Sequence, residues 1–186
     1  EQPSGAISGT LAYSQGYGLI LGANYQQSNL QGSGNSLSVG LNYSQYQQSL
    51  NLNYFDPYFT LDGISRGYNV FFRRLDYDAR NIARYSTDSA GGGVTFGFPI
   101  GETQRINFGM NIEHTEIREG FAAAQEISEF IERNGPDALN FKASLSWIRS
   151  TLNRGVFADR GSCQSIGLTF AVPGSGLEFY VVTYDS

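Results

Sequence analysis

Apolar and polar residues alternate with a period of two along most of this chain. In 6–15 (AISGTLAYSQ), Ile7, Leu11 and Tyr13 fall on one side, and Ala6, Ser8, Thr10, Ala12 and Ser14 fall on the other. In 18–27, Leu19, Leu21, Ala23 and Tyr25 alternate with Ile20, Gly22, Asn24 and Gln26. In 36–45, Leu37, Val39, Leu41 and Tyr43 alternate with Ser36, Ser38, Gly40, Asn42 and Ser44. In 48–54, Leu50, Leu52 and Tyr54 alternate with Ser49, Asn51 and Asn53. Such alternation predicts strands with one apolar and one polar face. The signal is weaker in 66–75, 92–98, 105–113, 139–147, 164–172 and 178–184 but continues. The whole reads as about ten strands, each near the roughly 9–11 residues that a tilted membrane-spanning strand needs. The connections follow in sequence with no long crossover, which predicts an antiparallel meander.

The polar faces of the first strands are Ser, Asn, Gln and Gly, with almost no charge, as the inside of a barrel would be. Tyr25, Tyr43 and Tyr54 close their apolar faces. A ring that tolerates apolar contact while its hydroxyl stays wet suits a membrane–water boundary. Composition agrees without deciding: 16% of residues are charged and 14% aromatic, with 23 Gly, 12 Tyr and 13 Phe, while mean hydropathy is -0.28. Soluble domains carry roughly 25% charged residues. On composition alone, a secreted β-sandwich fits nearly as well. No run of 18 apolar residues predicts a membrane helix. No secretory leader opens the sequence, so an exported chain is expected to be a mature protein or a piece of one.

Some segments break the alternation. In 116–133, Phe121, Ala124, Ile127, Ser128 and Ile131 recur at helical spacing, so a short amphipathic helix within a long loop is expected, with a disordered loop as the alternative. Residues 76–88 read as a charged, exposed loop. Gly91-Gly92-Gly93 precedes a predicted strand rather than a helix, so it is a site of bending or close backbone approach and not a phosphate cradle.

The chemistry-bearing residues are sparse. His114 is the single histidine, which excludes a multi-histidine metal site and a histidine-based triad; it reads as a loop-edge residue. Asp56, Asp62, Asp76 and Asp78 lack the spacing of a calcium loop. Cys163 stands alone near a strand start and reads as an inert small residue. The net charge of -5, with no basic run, argues against nucleic acid. No catalytic residue, metal or cofactor is expected, and the chain is not read as an enzyme.

Five longer strings carry more information: SNLQGSGN (28–35), YFDPYFTLDGIS (54–65), FGFPI (96–100), LNRGVFADRGS (152–162) and VPGSGLEFYVV (172–182). Locally, Asp56-Pro57 stops a strand, Asp62-Gly63 supplies a second bend and Pro173-Gly174 marks a hairpin tip. In this order and spacing, from near Ser4 to the end, the chain resembles the first part of the barrel of the Omp85 family. The resemblance implies an all-β, antiparallel meander transmembrane β-barrel, with about ten strands of a sixteen-stranded barrel present. Residues 1–4 would end a linker from a periplasmic POTRA domain and 5–186 would form the partial barrel. The connections 28–35, 55–65, 99–104 and 152–162 would face the periplasm, and 16–17, 44–48, 76–90, 114–138 and 173–177 the outside.

The resemblance also implies a function: assembly and insertion of other barrels in the outer membrane of a Gram-negative bacterium. The implied partners are nascent outer-membrane β-barrel proteins, outer-membrane lipid, and lipoproteins of the assembly complex that contact mainly the POTRA domains. In the family the first strand meets the last at a weak seam. That places a substrate-pairing edge on Gly5, Ala6, Ile7, Ser8, Gly9, Thr10 and Leu11. Leu19, Leu21, Leu37, Val39, Leu41, Leu50 and Leu52 would face lipid. Residue chemistry alone favours an ordinary first strand whose glycines fit a crowded lumen; the resemblance reverses that preference. A passive pore or small adhesin-type barrel, and a soluble ligand-binding β-domain, are the competing functions.

Overall fold

A computed structural model describes residues 4–15, 18–76, 85–119, 135, 137–151, 159–172 and 179–185. They form a single antiparallel sheet whose ten strands lie side by side in sequence order. These are β1 (Gly5–Ser14), β2 (Gly18–Gln27), β3 (Ser36–Ser44), β4 (Gln47–Asp56), β5 (Ser65–Asp76), β6 (Tyr85–Gly101), β7 (Gln104–Glu119), β8 (Asp137–Ser150), β9 (Cys163–Ala171) and β10 (Tyr180–Asp185). Among the described residues β1 pairs with β2 alone and β10 with β9 alone.

The alternation survives as register. Ile7 faces Tyr25, Tyr25 faces Val39, Val39 faces Leu52, and Leu52 faces Val70. On the other surface, Ala6 faces Gln26, Gln26 faces Ser38, Ser38 faces Asn53, and Asn53 faces Asn69. One surface is therefore an apolar band and the other a polar wall. A one-residue slip would exchange the two, which is why the pattern fixes the pairing. Among the described residues Ala143 is the single buried apolar side chain. A soluble β-sandwich hides its large apolar residues between two sheets. Here Leu21, Leu41 and Leu52 stay exposed, and none of the described residues forms a second layer over them.

The connections explain where strands stop. β4 ends at Asp56, whose carboxylate accepts the Tyr58 N–H at 3.1 Å before Pro57 can be followed by more strand. Gly63 takes a φ of 80°, a conformation costly for residues with a Cβ, and lets the chain enter β5. Between β2 and β3, Leu30–Gly32 form a single 3-10 turn.

Several sequence expectations are corrected. β6 and β7 reach 17 and 16 residues, well past 92–98 and 105–113. Asp88 is therefore a buried strand residue and not part of an exposed 76–88 loop. The 76–90 connection shrinks accordingly, because 85–90 belong to β6. Gly91–Gly93 lie inside β6 rather than ahead of it. His114 sits within β7, opposite Ala90 and Leu139, and not at a loop edge. Positions 116–119 of the expected helix are strand; the rest of it, 120–133, falls outside the described residues, as do the 16–17 turn and the tip at 173–177.

Candidate functional site: the outer side of β1

The residues expected to form a pairing edge all lie on β1, which among the described residues pairs with β2 alone. The Ser28 N–H donates to the Ser4 carbonyl at 2.7 Å. In an antiparallel ladder, bonded and non-bonded pairs alternate. Ala6, Ser8, Thr10, Ala12 and Ser14 thus direct their backbone groups toward β2. Gly5, Ile7, Gly9, Leu11 and Tyr13 direct both N–H and C=O to the open side. The same five residues hold their side chains on the apolar face, where Ile7 (83%), Leu11 (75%) and Tyr13 (78%) are strongly exposed.

The glycines of β1 are not forced by crowding. A Cβ added at Gly9 would come no closer than 3.9 Å to its nearest neighbour, the Gly22 carbonyl. At Gly5 it would meet the end of the flexible Gln27 side chain. Their effect is to leave this end of β1 without side-chain packing across the pair, which weakens a strand.

The seven residues expected to face lipid share the apolar face with Ile7. Leu41 pairs with Leu50 and Val39 with Leu52, while Leu19, Leu21 and Leu37 pair with Tyr13, Tyr43 and Tyr54. Leu19, Leu21, Leu41, Leu50 and Leu52 are exposed; Leu37 and Val39 are half-buried. Aromatics mark both limits of the band. At the end where β1 begins stand Tyr25, Tyr54, Tyr68 and Trp147; at the other stand Tyr13, Tyr43 and Tyr180. Their polar atoms find partners: Asn35 donates to the Tyr54 hydroxyl at 2.7 Å, and the Trp147 indole N–H donates to Gln104 at 3.1 Å. Two aromatic belts around an exposed apolar band are the signature of a membrane-spanning barrel wall.

The model of the Omp85 superfamily domain matches residues 29–186. The chain belongs to the Omp85 superfamily. Relatives bearing the name outer membrane protein assembly factor BamA include one from Neisseria meningitidis serogroup B. It is 29% identical over 195 aligned residues, covering the whole of this chain and 24% of the relative. Another, from Buchnera aphidicola, is 30% identical over 117 residues, covering 63% of this chain and 19% of the relative. The crystal structure of BamA from Haemophilus ducreyi lacking POTRA domains 1–3 superposes with a TM-score of 0.76. It is 29% identical and covers 98% of this chain and 36% of that one. The chain thus spans about a quarter of the length of the N. meningitidis relative. It is an integral outer-membrane β-barrel wall of the Gram-negative type.

This Omp85 wall carries polar groups that the sequence did not reveal. On the apolar side, beyond Phe72 and Ile112, Arg74 donates to Asp88 through Nε at 2.7 Å and Nη2 at 2.5 Å. Arg118 Nη2 lies 3.2 Å from the same carboxylate and also donates to Glu116 at 2.9 and 3.0 Å. The Arg74 hydrogen bond holds the Asp88 carboxyl below the usual carboxylate range, against the opposing effect of burial. These four residues tie β5, β6 and β7 together past the apolar band. On the polar side, Lys142 pairs with Glu113, Asn107 donates to Ser146 at 3.2 Å, and Asn53 donates to Ser38 at 3.5 Å. The polar wall is therefore neutral near β1 and charged toward β8.

Proposed function

We propose that this chain is the opening part of the barrel of an outer-membrane protein assembly factor, and that the side of β1 turned away from β2 pairs with strands of incoming barrels. The observation that carries the proposal is the parity of β1: Gly5, Ile7, Gly9, Leu11 and Tyr13 turn their backbone groups away from β2 while lying on the apolar face. Such groups cost several kcal/mol each if left unpaired in hydrocarbon, so a strand must meet this side of β1. Backbone pairing is tolerant of side-chain sequence, as a template for many different barrels requires. The relatives' name, outer membrane protein assembly factor, supports the same reading. In it no side chain performs an enzymatic step. The partners are nascent outer-membrane barrels and the surrounding lipid, with lipoproteins engaged through POTRA domains.

The test is disulfide crosslinking in the intact membrane protein during assembly of a substrate barrel. Toward an antiparallel incoming strand, Ser8 and Thr10 occupy non-hydrogen-bonded positions, where Cα atoms approach to about 4.5 Å rather than about 5.5 Å. Ser8→Cys and Thr10→Cys are expected to crosslink to the terminal strand of the substrate. Gly9→Cys and Leu11→Cys are expected to do so less well. A passive pore would instead conduct ions and give no crosslink at any of the four.

A further inference from the structure

The connection between β4 and β5 does not extend away from the barrel. Phe59 folds back so that its ring covers the Arg66 guanidinium at 3.8 Å and lies 6.5 Å from the Phe96 ring. Arg66 and Phe96 are register partners on the apolar face. The Tyr68 ring flanks the same guanidinium at 5.3 Å. The loop is pinned in this position by the Gly63 N–H to the Thr60 carbonyl, 3.1 Å, and by the approach of Gly63 to the Pro99 ring.

Arg66 is held there but poorly satisfied. Asp56 stands 3.6 Å away, an ion pair longer than a hydrogen bond. The Arg66 Nε is buried and has no acceptor among the described residues, so only the outer part of the guanidinium is open to a ligand. A guanidinium has five donors, and a quarter of this side chain remains exposed. Around it the loop turns apolar groups outward: Tyr58 is 79% exposed, Leu61 is fully exposed, and Ile100 follows Pro99 on the neighbouring strand end. A leucine left in water forgoes the stabilisation that burying its side chain would give. The cluster continues directly from the Tyr54–Tyr68 aromatic pair that ends the apolar band.

We propose that Arg66 and the 57–64 connection form a phospholipid-binding site at the membrane boundary. The guanidinium takes a lipid phosphate, and Phe59 and Leu61 lie among the upper acyl chains. Phosphate is the fitting ligand because it presents acceptors to a planar cation. Lipid is the fitting source because the site adjoins the apolar band on the same face. The Phe59 ring and the Asp56 carboxylate then act as positioning groups that keep Arg66 at head-group depth. This inference rests on the membrane position of the wall and is independent of any role in assembly.

The test uses the intact membrane protein in vesicles whose phospholipids carry bromine either near the head group or deep in the chains. In Leu61→Trp, emission beyond that of the parent is expected to fall by roughly half with shallow bromines and less with deep ones, as for a residue 5–10 Å into the boundary. Quenching by aqueous iodide alone would show a solvated loop and overturn the proposal. Shielding from both bromine and iodide would show a covering protein and overturn it as well. Native mass spectrometry reads the phosphate contact separately: retained phospholipid should fall several-fold in Arg66→Gln and less in Arg66→Lys. Equal retention in all three would sink that contact, while the Leu61 measurement stands even if Arg66→Gln folds poorly.

Discussion

At the scale of single residues, glycine means two different things in this wall. A Cβ at Gly93 would lie 1.9 Å from the Asn111 Oδ1 and 2.6 Å from the Met110 carbonyl, and at Gly91 2.5 Å from the Ile112 carbonyl. Backbone atoms cannot rotate away as a side chain can. Gly93→Ala is expected to cost about 1–3 kcal/mol, the range for overpacking, read as a lower urea midpoint of the refolded barrel. Gly9→Ala, with open space around it, is expected to stay within about 0.5 kcal/mol. Read in the sequence, the Gly91–Gly93 run correctly marked a close backbone approach. Its place inside a strand was not legible, because three residues without side chains erase the alternation that defines one. Arg66 was hidden for another reason: its partners arrive from a loop that doubles back, and aromatic density in YFDPYF was the single trace.

Among elements, β1 to β5 were legible to within about two residues, and β6 and β7 were not. The cause is the change of surroundings along the strand. Where the outward side chains meet lipid they must be apolar, and the pattern is clear. Past the band they become Asp88, Ser86, Glu116 and Arg118, and the sheet persists on backbone bonds and ion pairs instead. Asp88 is the centre of that stretch. Its carboxyl has a lower proton affinity folded than unfolded, so its contribution is full above the ordinary value near 3.8. It is lost as pH falls through the depressed folded-state value. Acidification to that range, or Asp88→Asn at neutral pH, should speed hydrogen exchange of the 85–89 amides and leave 92–98 unchanged. The β1 ladder makes a second prediction at this scale. Gly9→Pro removes an N–H that points to the open side, and Ser8→Pro removes one bonded to β2. The first should keep the heat-resistant folded band in gels while slowing substrate assembly; the second should lose the folded band.

Taken whole, the described sheet is an apolar band with a polar wall behind it, and β1 stands first in its order. Fold class and strand number could be read from periodicity, and the family from long strings. The sequence left the edge to resemblance, since Gly5–Leu11 looks like any barrel strand until its neighbours are known. Structure adds the parity: the backbone groups of β1 that point away from β2 belong to residues on the apolar face. On the proposed role, an incoming strand would pair with those groups and set its own apolar side chains on the same face.

The lengths of β6 and β7 carry one more consequence. At about 3.3 Å per residue and a tilt near 40°, 17 residues rise roughly 43 Å, against a band of about 25 Å. That leaves some 18 Å of β6 beyond the band, shared between its two ends, and the end that begins at Tyr85 is braced by its own charged clasp. To anything approaching the cell surface or the aqueous space on that side, this stalk is a rigid landmark rather than a slack tether.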